Sequence, residues 1–363
     1  MNGGSTRATP AQPLGERRVW LLLTVAFGDR PRAQAAWHEL APVLDIDTIA
    51  HDAHGVFGQL AASLREFDLD TDVLPRLDGV RKRLWTKNSV RVRDVMRARG
   101  LLAREGIGAE PTGGLAVLLR QRDLGQRPLV DAELVVSKDS AQTAVSVLTG
   151  GGWTEVGHRR DGWLLDLHAV TLRKAGSELT LRWCERDWPY HGPGQGREPH
   201  TIVDGCEVTL PSAAELLAYT LVEGFRLWGY TPTRRRADIL LLLQDPHGVS
   251  WRELREIVRG RSGSLAAAAA LEEVRTITDL VPAALPATLA GEAHRPRDRW
   301  ALAAGHRHAT AAVLLRRTSG MPVARAIAAS PKLLREVWDL PQDTSLSVAG
   351  ARRLRARLSA HAI

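Results

Sequence analysis

The feature that most constrains the fold is a change of pattern in the middle third of the chain. Between residues 107 and 210, short β-type runs alternate with glycine-rich turns. On either side, apolar residues recur at the three- and four-residue spacing of amphipathic helices. The middle third therefore predicts the order helix, turn, strand, helix, strand, strand, between two helical regions.

Four regions follow from this pattern. Residues 1–14, rich in Gly, Ser, Thr and Pro, are expected to form a mobile tail. Residues 15–106 are predicted to be a helical N-terminal region, 107–210 an α/β core, and 211–363 a helical C-terminal region. We therefore expect an α+β protein with a mixed-sheet core. Its 363 residues exceed the usual size of one domain, which favours two lobes.

Two helix starts have clear local signals. Asn88 and Ser89 precede an apolar-periodic run that ends before Gly106, which predicts a helix starting at Asn88. Ser212 and Glu215 form a capping box, in which hydroxyl and carboxylate bond the first free backbone N–H groups of a helix.

The strand predictions concentrate in the middle region. Residues 134–136 form a short apolar run, and residues 139–149 are predicted to be the helix that follows it. Residues 163–173 and 178–184 alternate in polarity and are expected to pair as a hairpin, with its turn at Ala175 and Gly176.

Two acids stand at the start of the apolar run. Asp131 and Glu133 are two residues apart, so on a strand both side chains point to one face. Carboxylates placed in this way can hold a hard divalent ion such as Mg²⁺. Upstream, Gly113 and Gly114 open a predicted helix, where a bare backbone lets phosphate oxygens approach closely. Taken alone, the two acids are better explained as charges on an exposed strand edge.

The motifs around the two acids, taken together, resemble those of a known family. The segment Arg127–Glu133 has the pattern Arg-Pro-x-x-Asp-x-Glu, Gly152 and Trp153 form a glycine–aromatic pair, and Thr180–Trp183 ends a later strand in Leu-Arg-Trp. In this combination the chain resembles the uncharacterised bacterial nucleotidyltransferase family. That family is a branch of the DNA-polymerase-beta-like nucleotidyltransferases, and the resemblance spans about residues 16–260.

The resemblance implies a nucleotidyltransferase-like core and a specific chemistry. Asp131 and Glu133 would be the catalytic acids and would hold Mg²⁺, while Gly113, Gly114 and Arg127 would contact a nucleoside triphosphate (NTP). A nucleoside monophosphate would move to an acceptor hydroxyl or amine on a small molecule, peptide or protein. Family relatives suggest a peptide natural-product or envelope pathway.

The chain also departs from the family pattern. Thr112 stands where the family has Lys, Thr180 where a third carboxylate is expected, and Arg182 where His is usual. Glu178, two residues earlier on the same strand face, is the expected replacement metal ligand, and Asp166 is another candidate.

These departures leave an alternative open. The chain would then be a catalytically degenerate nucleotidyltransferase fold that binds a nucleotide, a peptide or a partner protein. In that case Arg182 would occupy the former metal site and pair with Asp131 and Glu133, whereas an enzyme would bring a third acid beside them.

Composition and short motifs exclude several other classes. The sequence contains no Walker loop, Rossmann fingerprint, nucleophile elbow or zinc-type cysteine spacing. Its net charge of +8 reflects an Arg-rich composition, so we do not expect a nucleic-acid partner from charge alone. A nucleic-acid binder that uses the basic helical regions is a third, weaker alternative. Cys184 and Cys206 are expected to be reduced thiols. The apolar run at residues 19–28 is too short to cross a bilayer, and a cytoplasmic protein with no membrane partner is expected.

Overall fold

The fold is described from a computed structural model of the chain. The structure describes residues 14–47, 51–69, 71–121, 123–130, 132–159, 167–184, 198–203, 206–223, 232–260 and 264–292. The predicted tail up to residue 13, the candidate ligands Asp131 and Asp166, and residues 293–363 lie outside the described residues.

The N-terminal region is helical, as predicted. Its helices are α1 (Leu14–Phe27), α2 (Arg30–Leu40), α3 (Phe57–Glu66) and α4 (Leu74–Arg104), with 3₁₀ segments at Ala41–Val43 and His51–Val56. Asp29 caps α2, because its Oδ1 accepts a hydrogen bond of 3.0 Å from the backbone N–H of Arg32.

The predicted helix start at Asn88 is wrong. α4 runs without a break for 31 residues, and Asn88 lies in its middle with 2% of its surface exposed. Its side chain bonds a loop about 40 residues further along the chain instead of capping a helix. The predicted end is confirmed, since Gly106 follows the helix with a φ of +71°.

A five-stranded mixed sheet forms the core and confirms the α+β prediction. Its strands are β1 (Ala109–Thr112), β2 (Ala132–Val136), β3 (Thr154–Arg159), β4 (Leu167–Lys174) and β5 (Ser177–Cys184), in the order β1-β2-β5-β4-β3. β2 and β5 are parallel, whereas the other neighbouring pairs are antiparallel. Helices α5 (Gly113–Arg120) and α6 (Ala141–Gly150) follow β1 and β2.

The β4–β5 hairpin forms as predicted, but two strands of the sheet were not predicted. The hairpin turns at Ala175 and Gly176, whose φ angles of 47° and 85° suit a tight turn. β1 contains Pro111 and spans four residues, and β3 begins with polar residues, so neither has a strong strand pattern. Pairing with β2 and β4 makes these segments strands.

A separate two-stranded hairpin ends the predicted core region, and the described part of the C-terminal region that follows is helical. The elements are β6 (Glu198–Val203), β7 (Cys206–Leu210), α7 (Ala213–Glu223), α8 (Pro232–Leu243), α9 (Trp251–Gly260), α10 (Ser264–Val274) and α11 (Leu285–Gly291). The capping box before α7 is confirmed, because the Ser212 N–H bonds Glu215 Oε2 and the Glu215 N–H bonds Ser212 Oγ, both at 3.0 Å.

Ion pairs join the C-terminal helices to the rest of the protein. Arg120 of α5 bonds Asp245 through its Nε at 2.5 Å and the Pro211 carbonyl through Nη1 at 3.0 Å, and both charged side chains are buried. At the surface, Arg32 donates from Nη2 to both carboxylate oxygens of Asp279 at 2.8 Å. That hydrogen bond is the main cause that lowers the pKa of Asp279.

The two faces of the sheet differ in polarity. Leu134, Leu179 and Leu181 alternate onto one face and are fully or almost fully buried. Helix α4 covers this face, as shown by Ser177 Oγ, which donates to Asp94 Oδ2 at 2.5 Å. Of the helices described, none combines the length and apolar character needed to cross a membrane.

Candidate functional site

Polar residues of three strands meet on the other face of the sheet. Glu133 is directly opposite Thr112 of β1 on one side and Thr180 of β5 on the other. Arg182 lies two residues after Thr180, so all four side chains point to the same face. All four residues are buried. This is the face on which the sequence predicted a metal.

A buried ion pair occupies this face. Arg182 Nη2 lies 2.7 Å from Glu133 Oε1, and each side chain is 7% exposed. A guanidinium and a carboxylate attract each other strongly where water is excluded. The charge of Glu133, which a metal ion would require, is therefore already balanced by a residue of the same protein.

Gly113 brings the start of α5 against the Glu133 carboxylate. Its φ is +53°, and a Cβ built there would lie 2.4 Å from Glu133 Oε2. The positive end of a helix dipole stabilises an anion, and here the nearest anion is a protein carboxylate. Gly113 was predicted to leave space for a phosphate, and in this structure the Glu133 carboxylate lies in that space.

Arg127 joins the same helix start to α8. It donates from Nε and Nη2 to the two carboxylate oxygens of Asp238 at 2.7 and 2.8 Å, and from Nη1 to the Gly114 carbonyl at 2.6 Å. The Arg127 and Asp238 side chains are 3% and 2% exposed. A Cβ at Gly114 would lie 2.9 Å from Arg127 Nη1, so this glycine makes room for the guanidinium.

Asp238 is a site residue that sequence reasoning missed. It is a lone acid that begins the apolar run of α8, which continues as Ile-Leu-Leu-Leu-Leu. A buried acid requires a cationic partner, so an acid at the start of an apolar run indicated that a buried ion pair would form here. The partner, however, lies 111 residues away in sequence, and the sequence offers many other arginines.

Asn88 positions the segment that leads into the Asp131–Glu133 motif. From the middle of α4, its Nδ2 donates to the carbonyls of Leu124 and Arg127 at 2.7 and 2.8 Å. Its Oδ1 accepts from the Leu129 N–H at 3.1 Å. One side chain therefore replaces the backbone partners that this irregular segment lacks.

We expect Asn88→Ala to destabilise the protein by about 2–4 kcal/mol, because it leaves buried backbone groups without hydrogen bonds. Urea denaturation followed by circular dichroism would measure the loss. Thr86→Ala is a matched control, since Thr86 is exposed on the same helix and bonds the Lys82 carbonyl of the preceding turn. A loss no larger than in this control would contradict the positioning role.

Glu178 is not brought into the Glu133–Arg182 pair. It lies near the turn of the β4–β5 hairpin, directly opposite Arg173, and the two form a surface ion pair. Its side chain is 43% exposed. To bind a metal, Glu178 would first have to break its ion pair with Arg173.

The described residues do not fit a magnesium site made of several carboxylates. Among them, no three His, Cys, Asp or Glu side chains come together as ligands. Glu133 is paired with Arg182, and Thr180, at the position of the third acid, offers a neutral hydroxyl. Mg²⁺ is bound in proteins by oxygen ligands that include carboxylates.

Comparison with protein families decides the wider assignment. The family model described as Uncharacterised nucleotidyltransferase matches residues 45–275, which include all four polar residues of the sheet face and Asp238. The chain belongs to this nucleotidyltransferase family. The resemblance in the Arg127–Glu133 motif is thereby confirmed at the level of the family.

Two solved structures show weaker likeness to this member of the family. The solution structure of the antibiotic-resistance factor ANT(2'')-Ia shares 13% identity at a TM-score of 0.36, covering 52% of this chain and 98% of the other. A crystal structure of an antigenic nucleotidyltransferase-like protein from Paracoccidioides brasiliensis shares 17% identity at a TM-score of 0.29, covering 53% and 91%. No curated protein matches the chain.

Proposed function

We propose that this member of the nucleotidyltransferase family binds a nucleoside triphosphate without Mg²⁺ and does not transfer the nucleotidyl group. The observation that carries the proposal is the buried ion pair between Glu133 and Arg182. It places a permanent cation beside the carboxylate to which a metal would bind.

Arg182 offers the charge arrangement of a metal site without the metal. In a catalytic site, a carboxylate holds a cation and the cation holds the phosphates. A guanidinium has five N–H donors in a planar fork, enough to bond more than one anion at the same time. Glu133, Arg182 and a triphosphate would then alternate in charge, as carboxylate, metal and triphosphate do.

Transfer itself lacks support from the described residues. Activating an acceptor hydroxyl requires a base or a metal held by carboxylates. Thr180 supplies no charge, and Glu133 is bonded to Arg182. Binding is therefore the function that this geometry supports best.

Nucleotidyl transfer from a Mg–NTP is the second candidate. Family membership and the spacing of Asp131 and Glu133 favour it. In that case Asp131, Glu133 and Glu178 would hold the metal, and Gly113, Gly114 and Arg127 would face the triphosphate. The acceptor would be a small molecule, a peptide or a protein, and a peptide natural-product pathway would be one setting.

Calorimetric titration of the four ribonucleoside triphosphates separates the two candidates. We expect at least one triphosphate to bind equally well with Mg²⁺ and with excess EDTA. The double variant Glu133→Gln/Arg182→Gln removes both charges of the described pair together and should bind at least about tenfold more weakly, since a hydrogen bond to a charged group contributes roughly 1.5 kcal/mol or more. Arg173→Gln, on the neighbouring strand, is the matched control and should bind normally.

Two results would overturn the proposal. Binding that requires Mg²⁺ and is lost in Glu133→Gln alone would favour the transferase and justify a screen of acceptors. Failure of the folded protein to bind any triphosphate in either buffer would show that the site no longer takes nucleotides.

A further inference from the structure

The net charge of the protein is concentrated on one helix. α4 carries ten of the 49 Lys and Arg residues and two of the 41 Asp and Glu residues. The rest of the chain therefore has 39 of each, and no net charge. An Arg-rich composition would spread its excess over the whole surface, so composition alone does not explain this distribution.

Much of this charge is available to a ligand. Some basic residues of α4 are used internally, such as Arg81, which pairs with Asp123, and Arg99, which bonds the Ala109 carbonyl. Others are exposed, and their side chains make no hydrogen bond or ion pair with any described residue. Arg97 is 69% exposed, and its Nη1 lies 3.9 Å from Asp94 Oδ1. We call these exposed cations the α4 basic face: Lys82, Arg83, Lys87, Arg93, Arg97 and Arg104.

Helical geometry arranges four of the six residues of the α4 basic face as a ridge. At 100° per residue, Lys82, Arg93, Arg97 and Arg104 fall within an arc of about 60°. At a rise of 1.5 Å per residue, they extend over about 33 Å. The opposite side of α4, with Val92, Val95 and Met96, is buried against the core, so the ridge is held rigidly.

An aromatic ring is exposed beside the ridge. Trp85 is 54% exposed and lies within one turn of Lys82. An exposed aromatic face stacks readily on an unpaired base.

We infer that the α4 basic face binds single-stranded nucleic acid, with backbone phosphates along the ridge and a base on Trp85. A line of cations about 33 Å long suits a chain of evenly spaced phosphates. A membrane surface is disfavoured, because the apolar side of α4 is buried in the core rather than free to enter a bilayer. α4 lies on the sheet face opposite to Arg182, so this surface is separate from the proposed nucleotide site.

Fluorescence anisotropy with labelled oligothymidylate and oligouridylate tests the inference over a range of salt concentrations. We expect log K to fall linearly with log salt concentration. The variant Lys82→Gln/Arg93→Gln/Arg104→Gln should reduce the slope by about 2, at about 0.7 per lost phosphate contact. Trp85→Ala should weaken binding by roughly 1–3 kcal/mol, or about 5- to 150-fold, without changing the slope.

The matched control removes the same charge elsewhere. Arg18→Gln/Arg252→Gln/Arg259→Gln neutralises three exposed arginines outside α4 and should leave both affinity and slope unchanged. Equal losses in the two triple variants would overturn the inference, because binding would then follow net charge alone.

Competitors test the class of ligand. Displacement of the oligonucleotide by polyglutamate at equal charge concentration would overturn the assignment to nucleic acid and favour an acidic protein segment. Equal affinity for a duplex, with no effect of Trp85→Ala, would overturn the assignment to single strands. Stronger binding of either oligothymidylate or oligouridylate would identify DNA or RNA as the source of the phosphates.

Discussion

Arg127→Met is expected to lower the free energy of unfolding by about 3–5 kcal/mol, the cost of removing one partner from a buried ion pair. Arg127 and Asp238 are each at most 3% exposed and share two hydrogen bonds. Met fills much of the same volume but leaves the Asp238 carboxylate buried without the guanidinium. The Gly114 carbonyl loses its bond from Arg127 as well.

Urea denaturation of the full chain would measure this loss. Arg173→Met is the matched control, because Arg173 also pairs with a carboxylate but is 52% exposed on the β4–β5 hairpin. Surface pairs contribute at most about 1 kcal/mol, so the control should be nearly neutral. Similar losses in both variants would contradict a structural role for Arg127, which would then be available for a triphosphate.

Gly58→Ala is expected to destabilise the protein by about 3 kcal/mol, near the upper end of the cost of overpacking. Gly58 lies in α3, and a Cβ there would lie 2.0 Å from the Gly125 carbonyl oxygen and 2.9 Å from that of Gln126. These atoms belong to the backbone just before Arg127, so they cannot rotate away. The segment would have to move, and with it the hydrogen bonds from Asn88.

Gly100→Ala, in contrast, should raise the free energy of unfolding. Gly100 also lies within a helix, in α4, but nothing is within 4 Å of its Cβ position. Ala is the better helix former, so stability should rise by up to about 1 kcal/mol. Thermal unfolding of both variants checks the pair, and a stabilised Gly58→Ala protein would show that α3 and the 125–126 segment do not pack as described.

Local signals in the sequence were sufficient for several elements. The capping box at Ser212 and Glu215 and the helix end at Gly106 depend on backbone groups a few residues away, and both are as predicted. The turn at Ala175 and Gly176 also depends only on neighbouring residues, and it forms as predicted. The Arg127–Glu133 motif, the Gly152–Trp153 pair and the Thr180–Trp183 segment were together sufficient for the family resemblance.

Other predictions failed because the deciding partner is distant in sequence. Asn88 resembles a helix cap, yet it bonds the Leu124–Leu129 segment from within a continuous helix. Neither β1 nor β3 has a strong local pattern, and each becomes a strand by pairing with a neighbour. The concentration of charge on α4 becomes apparent once residues 74–104 are known to form one helix.

The sequence by itself determined the fold class and the strand on which Glu133 lies, because these depend on periodicity and short spacings. The family followed from the resemblance of its combined motifs to a known family. Tertiary structure decided which charges neutralise each other: Glu133 with Arg182, 49 residues apart, and Arg127 with Asp238, 111 residues apart. The physical reason is desolvation. A buried charge must find an opposite charge in space, and sequence spacing does not specify which of many candidates the fold will place beside it.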